Sequence, residues 1–299
     1  MHGTPFVSGV GPVSVEAYKI GLPREEQPPN VPETFADAME VRKAVFVEEQ
    51  TVPAEFELDG KDSRSRHWVV YASVNTIVSP AKYAEDGVTL LELQRSVTKS
   101  VPIGTLRAVP FPHPPHPIAG MRYVGDEAVG FGNDSDNDGN GNGNGGNEND
   151  NGGGKNDNGN GETISLQEAS RKFPKPASLV DRKTTFHDGI EPFIQLGRLA
   201  VLSEFRGSSI GTLLVRTALD WLEKNPTIFN VSVAEVGLER LGVGTDPSKV
   251  PHWNGLVHVH AQTSAVRFWE RLGFAVDHEM GSWWEEGIPH VGMFYRIKV

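Results

Sequence analysis

The residues best suited to bind a ligand lie in a glycine-bearing turn in the second half of the chain. A strand-like run, FIQLGRLAVLSEF (193–205), is followed by RGSSIG (206–211) and by the helical pattern TLLVRTALDWLEK (212–224). The first N–H groups of a helix have no partners within the helix and carry a partial positive charge. Such a turn can hold a pyrophosphate, with Gly211 leaving room for it. Glycine also occurs at such turns for backbone geometry alone, so both interpretations remain open.

Composition excludes several other kinds of chemistry. The chain has 299 residues and no cysteine, which excludes disulfides, thiolate metal ligands and a cysteine nucleophile. The net charge is −11, but residues 126–162 hold nine Asp or Glu and one Lys, so the remainder is nearly neutral. A nucleic-acid partner is not expected, because it would require clustered Lys and Arg side chains.

Two patterns imitate metal sites. Residues 134–139 (DSDNDG) look like the start of a calcium loop, but position 12 is Gly145 instead of Glu. His113 and His116, in FPHPPHP, lack the further ligands of a stable site, so we expect them in an ordinary surface loop. No metal is expected, and the chemistry must use oxygen and nitrogen groups.

The spacing of apolar residues predicts the elements around the turn. The strands predicted in the first half are residues 13–20, 67–72 and 101–109, the last two forming an antiparallel hairpin. A helix is predicted to begin at Pro32. The elements predicted in the second half, besides those at the turn, are a buried strand at 255–261, a helix at 263–273 and two final strands, FAVDHE and HVGMFYRI. This alternation predicts an α/β protein whose last two strands are added antiparallel.

An insertion, residues 111–190, interrupts a single domain that spans residues 1–299. It begins with a proline-dense stretch and contains the Gly/Asn/Asp-rich tract at 126–162. The tract has too few apolar side chains to offset the entropy of ordering it, so we expect it to be disordered.

Targeting signals are not evident in the sequence. The first residues do not read as a secretion signal, and no segment approaches the ~20 apolar residues of a membrane span. We therefore expect a soluble intracellular protein without a membrane partner, located in the cytoplasm, with the nucleus as an alternative.

Four segments together resemble the GNAT superfamily of N-acetyltransferases, in its small-molecule-type branch. GRLAVLSEFRGSSIGTLLV is similar to the family's fourth strand and acetyl-coenzyme A turn, where Arg206 and Gly211 match and Ser209 replaces a glycine. The other segments are residues 42–70, 260–276 and 285–293. The resemblance covers the chain except the insertion. It implies a mixed, mostly antiparallel central sheet flanked by helices, with strands 4 and 5 splayed apart.

The resemblance implies transfer of an acetyl group from acetyl-coenzyme A (acetyl-CoA) to a primary amine by direct attack. The pantetheine arm would enter the gap between strands 4 and 5 and bond the backbone there. Leu199 would supply the N–H that polarises the thioester carbonyl. The residues implied in cofactor binding are Leu199, Ala200, Val201, Arg206, Gly207, Ser208, Ser209, Ile210, Gly211, Thr212 and Trp269.

The resemblance does not identify the groups that transfer protons. Related enzymes often carry a tyrosine four residues before a Gly-Phe pair, where this chain has Trp269. The candidate proton donors are His260, Tyr295 and Ser264, with water as the alternative source. The candidate bases are Glu57, Asp59, His67 and His290.

The acceptor stays open as well. Acids on the acceptor side suit a cationic small amine; they are Glu55, Glu57, Asp59 and Asp62. A peptide α-amine or lysine is the alternative acceptor. Ser209 and Trp269 also motivate a third hypothesis, a non-catalytic acyl-CoA-binding protein, and either a monomer or a homodimer is compatible with the sequence.

Overall fold

The computed structural model describes residues 5–85, 87–131, 181–230, 250 and 252–299. The α-helices in these ranges are α1 (Glu33–Arg42), α2 (Ile210–Lys224) and α3 (Val266–Glu270). The strands are β1 (Phe6–Val10), β2 (Arg66–Ser79), β3 (Lys82–Tyr83), β4 (Leu90–Glu92), β5 (Arg95–Val109), β6 (Met121–Val124), β7 (Glu127–Phe131), β8 (Ile194–Val201), β9 (Leu256–Gln262), β10 (Ala275–Val276), β11 (Ser282–Glu285) and β12 (Ile288–Arg296). A π-helical segment, Lys43–Glu49, continues α1. No helix within the described ranges is long and apolar enough to cross a membrane.

Ten strands form one mixed sheet. Its order is β1-β2-β5-β8-β9-β12-β11-β6-β7, with β10 paired to β12. The pairs β8/β9 and β11/β6 are parallel, and the other pairs recorded in the sheet are antiparallel. The expectation of a mixed, mostly antiparallel central sheet is therefore confirmed.

Helices cover both faces of the sheet, as the alternation of side chains along β2 shows. Trp68 and Val70 belong to the core cluster that includes Leu214 and Leu222 of α2. The intervening Val69 contacts Ala38 of α1. Because successive strand residues point to opposite faces, α1 and α2 lie on opposite sides of the sheet. Burying each large apolar side chain of α2 contributes roughly 1.5–3 kcal/mol, so packing holds the helix in place.

Most of the predicted elements are confirmed, and the first strand is wrong. β2 and β5 contain the predicted strands 67–72 and 101–109 and pair antiparallel. The first strand is β1, whereas the predicted strand at 13–20 is irregular. The apolar side chains Val13 and Tyr18 pack against a cluster around Phe35 of α1. Their apolar spacing therefore reflects contact with a helix and not pairing in the sheet.

The ends of the insertion are part of the folded domain. β6 and β7 form a hairpin within residues 121–131, and β6 pairs in parallel with β11 at Arg122 and Tyr123. The expectation of disorder is thus wrong for residues 126–131, because the alternating EAVGF segment pairs with β6. The rest of the Gly/Asn/Asp-rich tract and the calcium-like pattern lie outside the described residues.

Candidate active site

β8 and β9 separate from each other partway along their length. They pair in parallel only from Ile194 with Val257 to Leu196 with Val259. Residues 197–201 continue to pair with β5 on the other side but not with β9. One edge of β8 therefore lacks a neighbouring strand within the described part of the chain. β8 and β9 correspond to strands 4 and 5 of the family resemblance, and the expectation that these two strands splay apart is confirmed.

A β-bulge accounts for this separation. Gly197 pairs with Arg107 and Ala200 pairs with Thr105, so β8 has one residue more than β5 over this interval. Arg198 lies in the bulge with a φ of 51°, a left-handed conformation. A bulge increases the local twist of its strand, which turns the end of β8 away from β9.

The glycine-bearing turn connects the end of β8 to α2 and is open to solvent. Residues 206–209 are exposed, and Gly207 has a φ of 76°. Ser209 caps α2 in the left-handed conformation, with a φ of 61° and no side-chain hydrogen bond to the helix. That conformation costs a non-glycine residue about 1–2 kcal/mol, which explains why glycine is usual at this position. No heavy atom lies within 4 Å of a Cβ built on Gly207, so the turn has open space beside its backbone.

The two residues at the ends of this turn have defined neighbours. The Arg206 guanidinium donates to both carboxylate oxygens of Glu49 at 2.6 Å. Its Nε donates to the carbonyl of Val201 at 2.9 Å, so that carbonyl is already bonded. A Cβ on Gly211 would lie 3.3 Å from the Phe268 ring of α3. The turn is therefore fixed to the end of β8 and packed closely against α3.

A cavity of about 840 Å³ opens beside the free edge of β8. Gly197, Arg198 and Leu199 line it from β8, and His260 and Gln262 line it from β9. Other walls come from residues 55–61, 113–117, 123–127 and 285–290, and from Phe268 and Trp269 of α3. Ala200 points away from the cavity and packs with Val41 and Val45. The cavity thus reaches the point where β8 and β9 part.

His260 is the first residue of β9 beyond the paired segment, and it has a carboxylate partner. Its Nδ1 lies 2.6 Å from Oε1 of Glu285. Although burial opposes ionisation, the adjacent His260 holds the pKa of Glu285 well below its ordinary value. Both side chains line the cavity. An imidazole held by an ionised carboxylate can accept and return a proton at its other nitrogen.

An ion-pair network lies behind one wall of the cavity. The fully buried Arg42 bonds Glu57 through Nε at 2.9 Å and Asp62 through Nη1 at 2.8 Å. Arg107 bonds Asp62 and also makes a two-pronged pair with Asp59, at 2.7 and 3.0 Å. Burial opposes ionisation of Asp62, but Arg42 and Arg107 hold its pKa far below the ordinary value. Glu57 and Asp59, two of the candidate bases, therefore form ion pairs with buried arginines.

Arg198 extends the same network into the cavity. Its Nη2 donates to the carbonyl of Phe56 at 3.1 Å and lies 3.4 Å from Asp59, while Nε lies 3.3 Å from Glu57. Burial and the neighbouring Arg107 lower its pKa. The Arg198 side chain therefore connects the bulge of β8 to the segment around Phe56.

Three of the candidate proton-transfer residues lie outside the cavity lining. His67 is fully buried, with Nε2 3.1 Å from the carbonyl of Asp62, and burial lowers its pKa to about 4. Tyr295 stacks on Phe274. Ser264 is exposed next to α3. We therefore assign none of these three a role in proton transfer.

Trp269 and His290 do line the cavity. Trp269 is buried against Phe268 and Phe274, with its ring centroid 5.3 and 4.9 Å from theirs. Nδ1 of His290 lies 2.8 Å from the carbonyl of Ile288, and burial lowers the pKa of this histidine. Trp269 forms part of the cavity wall. His290 uses Nδ1 in its contact with Ile288, so Nε2 is the ring nitrogen left for a ligand.

The expectation of a surface loop at His113 and His116 is wrong. Both rings are buried and stack on Phe193, at centroid distances of 4.3 and 5.5 Å. Nε2 of His116 lies 2.9 Å from Nδ1 of His187, at the other end of the insertion. Phe193 and His187 are distant in sequence, so FPHPPHP alone carries no sign of this packing. No group of three or more potential metal ligands occurs in the parts of the chain that the structure describes.

The β6–β7 hairpin closes one side of the cavity. The backbone N–H of Gly125, at its tip, donates to the Glu286 carboxylate. The neighbouring Asp126 pairs with Lys61 at 2.7 Å. These two contacts join the β11–β12 hairpin to the segment before β2. The insertion therefore contributes a wall of the site.

Sequence reasoning missed two residues of this site. The sequence gives a weak indication that Arg198 belongs to the site, because it is the one charged residue in the strand IQLGRLAV. The sequence gives no such indication for Glu285, because it is one of two adjacent acids before a glycine and its partner His260 lies on another strand.

The split sheet and the open turn at the start of α2 are the features that the resemblance to the GNAT superfamily implies. The chain is similar to a protein of Bacillus subtilis (strain 168) named uncharacterized N-acetyltransferase YjcF. The two are 42% identical over 60 residues, which are 20% of this chain and 43% of YjcF. The match thus spans less than half of that relative. No protein-family model matches the chain.

Two solved structures align with nearly the whole chain at low identity. An N-acetyltransferase from Lactobacillus plantarum is 16% identical, with 98% of this chain and 99% of that chain covered and a TM-score of 0.42. Escherichia coli ElaA is 14% identical, with 98% and 100% covered and a TM-score of 0.39. Both are distant likenesses.

Proposed function

We propose that the protein transfers an acetyl group from acetyl-CoA to the primary amine of a small molecule. The observation that carries this proposal is the unpaired edge of β8 at residues 197–201, between the open turn and the cavity at His260. An extended ligand with amide groups can pair with a free strand edge, and the pantetheine arm is such a ligand. The pyrophosphate would then lie on the amides at the start of α2.

The proposed reaction needs no covalent enzyme intermediate. The amine nitrogen attacks the acetyl carbon, the C–S bond breaks, and the CoA thiolate leaves. The Leu199 N–H bonds the carbonyl oxygen while that oxygen carries negative charge. The amine attacks in its neutral form, after its ammonium proton has passed to water, and Nε2 of His260 then takes one proton from the attacking nitrogen and returns it to the thiolate.

The proposed acceptor is a small cationic amine. The cavity lining contains seven Asp or Glu and three Lys or Arg, and this excess of negative charge favours a cation. The β6–β7 hairpin, held by Glu286 and Lys61, closes one side of the cavity, and a smaller opening favours a small acceptor over a peptide. A panel of diamines, amino sugars and N-terminal peptides, with thiol release as the readout, tests this choice. Faster turnover of peptides than of small amines would overturn it.

A larger residue at Gly211 is expected to weaken cofactor binding, because it would push the start of α2 away from α3 and displace the turn. In Gly211→Leu, the new side chain begins 3.3 Å from the Phe268 ring and occupies the space between α2 and α3. We expect the affinity for acetyl-CoA, measured by calorimetry, to fall at least about 100-fold, equivalent to about 2.7 kcal/mol.

Asp220→Leu is the matched control, because it places the same side chain at an exposed position of the same helix. Its affinity for acetyl-CoA should equal that of the wild type, and thermal melts establish that both variants fold. Wild-type affinity in folded Gly211→Leu would place the cofactor elsewhere.

Removing the imidazole of His260 is expected to slow turnover without weakening cofactor binding. Glutamine is similar in size but cannot accept a proton, so His260→Gln should lower kcat about 100-fold. Tyr295→Phe removes a phenol that lies outside the cavity lining and should leave kcat unchanged. If acetyl-CoA binds but no amine is acetylated by the wild type, the protein is a non-catalytic acyl-CoA binder.

A further inference from the structure

We infer that Glu285 is the positioning residue of the reaction, holding the His260 ring so that Nε2 faces the acceptor cavity. This inference rests on the proposed function. An ionised carboxylate only accepts hydrogen bonds, so the 2.6 Å contact with Oε1 assigns the proton of the neutral ring to Nδ1. The lone pair is then on Nε2. A neutral imidazole in this tautomer can accept a proton from an amine in the cavity.

Glu285 is itself held in place. Nε1 of Trp283 donates to the same oxygen, Oε1, at 2.7 Å. The Trp283 ring also packs edge-on against the His260 ring, with centroids 5.0 Å apart and an interplanar angle of 78°. Trp283 and Glu285 are two residues apart on β11, so both side chains point to one face of the sheet. One tryptophan therefore orients both the carboxylate and the imidazole.

The strand order explains how these side chains meet. β12 lies between β9 and β11, and its Gly292 is directly opposite His260. A Cβ on Gly292 would lie 2.2 Å from the sulfur of Met280 and 3.4 Å from Nε2 of His258. Only glycine fits at this position, so residue 292 places no side chain between Glu285 and His260. Glu285 reaches His260 across the strand that separates them.

The negative charge of Glu285 also stabilises the imidazolium that forms when His260 takes a proton. Its removal should make protonation of the ring less favourable. The other titratable side chains that interact with His260 are His113, His116, His258 and His290, and Arg198 acts on His290. Burial favours the neutral form of the four histidines, which leaves Glu285 as the anion that contacts the ring.

The test is Glu285→Gln, which keeps the size of the side chain and removes its charge. We expect kcat at pH 7.5 to fall at least about 10-fold and the acidic limb of the pH profile to move to lower pH. The KM for acetyl-CoA should not change. Glu279→Gln is the matched control, since it removes one exposed negative charge outside the cavity lining and should alter neither quantity. Circular dichroism at each pH separates inhibition from unfolding.

A second readout does not require turnover. The ring ¹⁵N resonances of His260, identified by their loss in His260→Gln, should show the proton of the neutral ring on Nδ1 and none on Nε2 in the wild type. A neutral ring that carries its proton on Nε2, or an unchanged pH profile in Glu285→Gln, would overturn the role of Glu285, even if the enzyme acetylates amines. Absence of acetyl-CoA binding by the wild type would instead overturn the proposed function, whatever the resonances show.

Discussion

Lowering the pH from 7 to 5 is expected to unfold the protein, because several histidines are buried in their neutral form. Burial lowers the pKa of His67 to about 4 and of His116 to about 3, and it lowers those of His113 and His258 well below the ordinary value. In the unfolded chain each of these rings would titrate near pH ~6.5. Below that pH the unfolded state therefore binds more protons than the folded state.

The direction and size of the effect follow from this difference. The stability associated with the neutral rings is fully present above pH ~6.5 and is lost as the pH falls below it, by about 1.4 kcal/mol per histidine and pH unit. Four rings together cost roughly 5–6 kcal/mol at pH ~5.5, which is comparable to the total stability of a typical domain. We expect the midpoint of acid unfolding between pH ~5 and ~6. Urea unfolding at a series of pH values measures the slope.

His258→Phe provides a direct check on this explanation. The ring stacks on Phe294 with centroids 4.4 Å apart, and neither of its nitrogens has a hydrogen-bond partner within the described structure. Phenylalanine keeps the stacking and does not titrate, so the slope should fall by about 1.4 kcal/mol per pH unit. His252→Gln, at an exposed position, should leave the slope unchanged. A stability independent of pH between 7 and 5 would contradict the account.

Replacing Arg42 by methionine is expected to destabilise the fold by about 3–5 kcal/mol, because Glu57 and Asp62 would lose a buried cationic partner. The guanidinium is fully buried and bonds both carboxylates at 2.8–2.9 Å. Methionine replaces its apolar volume without supplying donors. Arg107 still contacts Asp62, so the unfolding transition should remain cooperative but move to lower denaturant concentration.

Lys43→Met is the matched control for Arg42→Met. Lys43 is the next residue in the chain and is 60% exposed, with its Nζ 3.3 Å from Glu48. A surface pair of this kind contributes about 0–1 kcal/mol, so the control should unfold nearly as the wild type does. Equal free energies of unfolding for the two variants would show that the buried network does not stabilise the fold.

Much of the fold was predictable because it depends on short-range patterns. The apolar period of α2 and the turn before it lie within one segment, and both occur where the sequence places them. The strand predicted at 13–20 failed because its apolar residues pack against α1, a contact that spacing cannot distinguish from sheet pairing. The β6–β7 hairpin was missed because its short strands lie beside a low-complexity tract.

The sequence by itself determined the alternation of strands and helices around the open turn, because it follows from local periodicity and from residues that are adjacent in the chain. Only the tertiary structure decided which titratable groups meet. Glu57 and Asp59, candidate bases from the sequence, are held by arginines, whereas His260 finds its carboxylate 25 residues away across an intervening strand. Burial and charge act through space, and sheet order sets those distances.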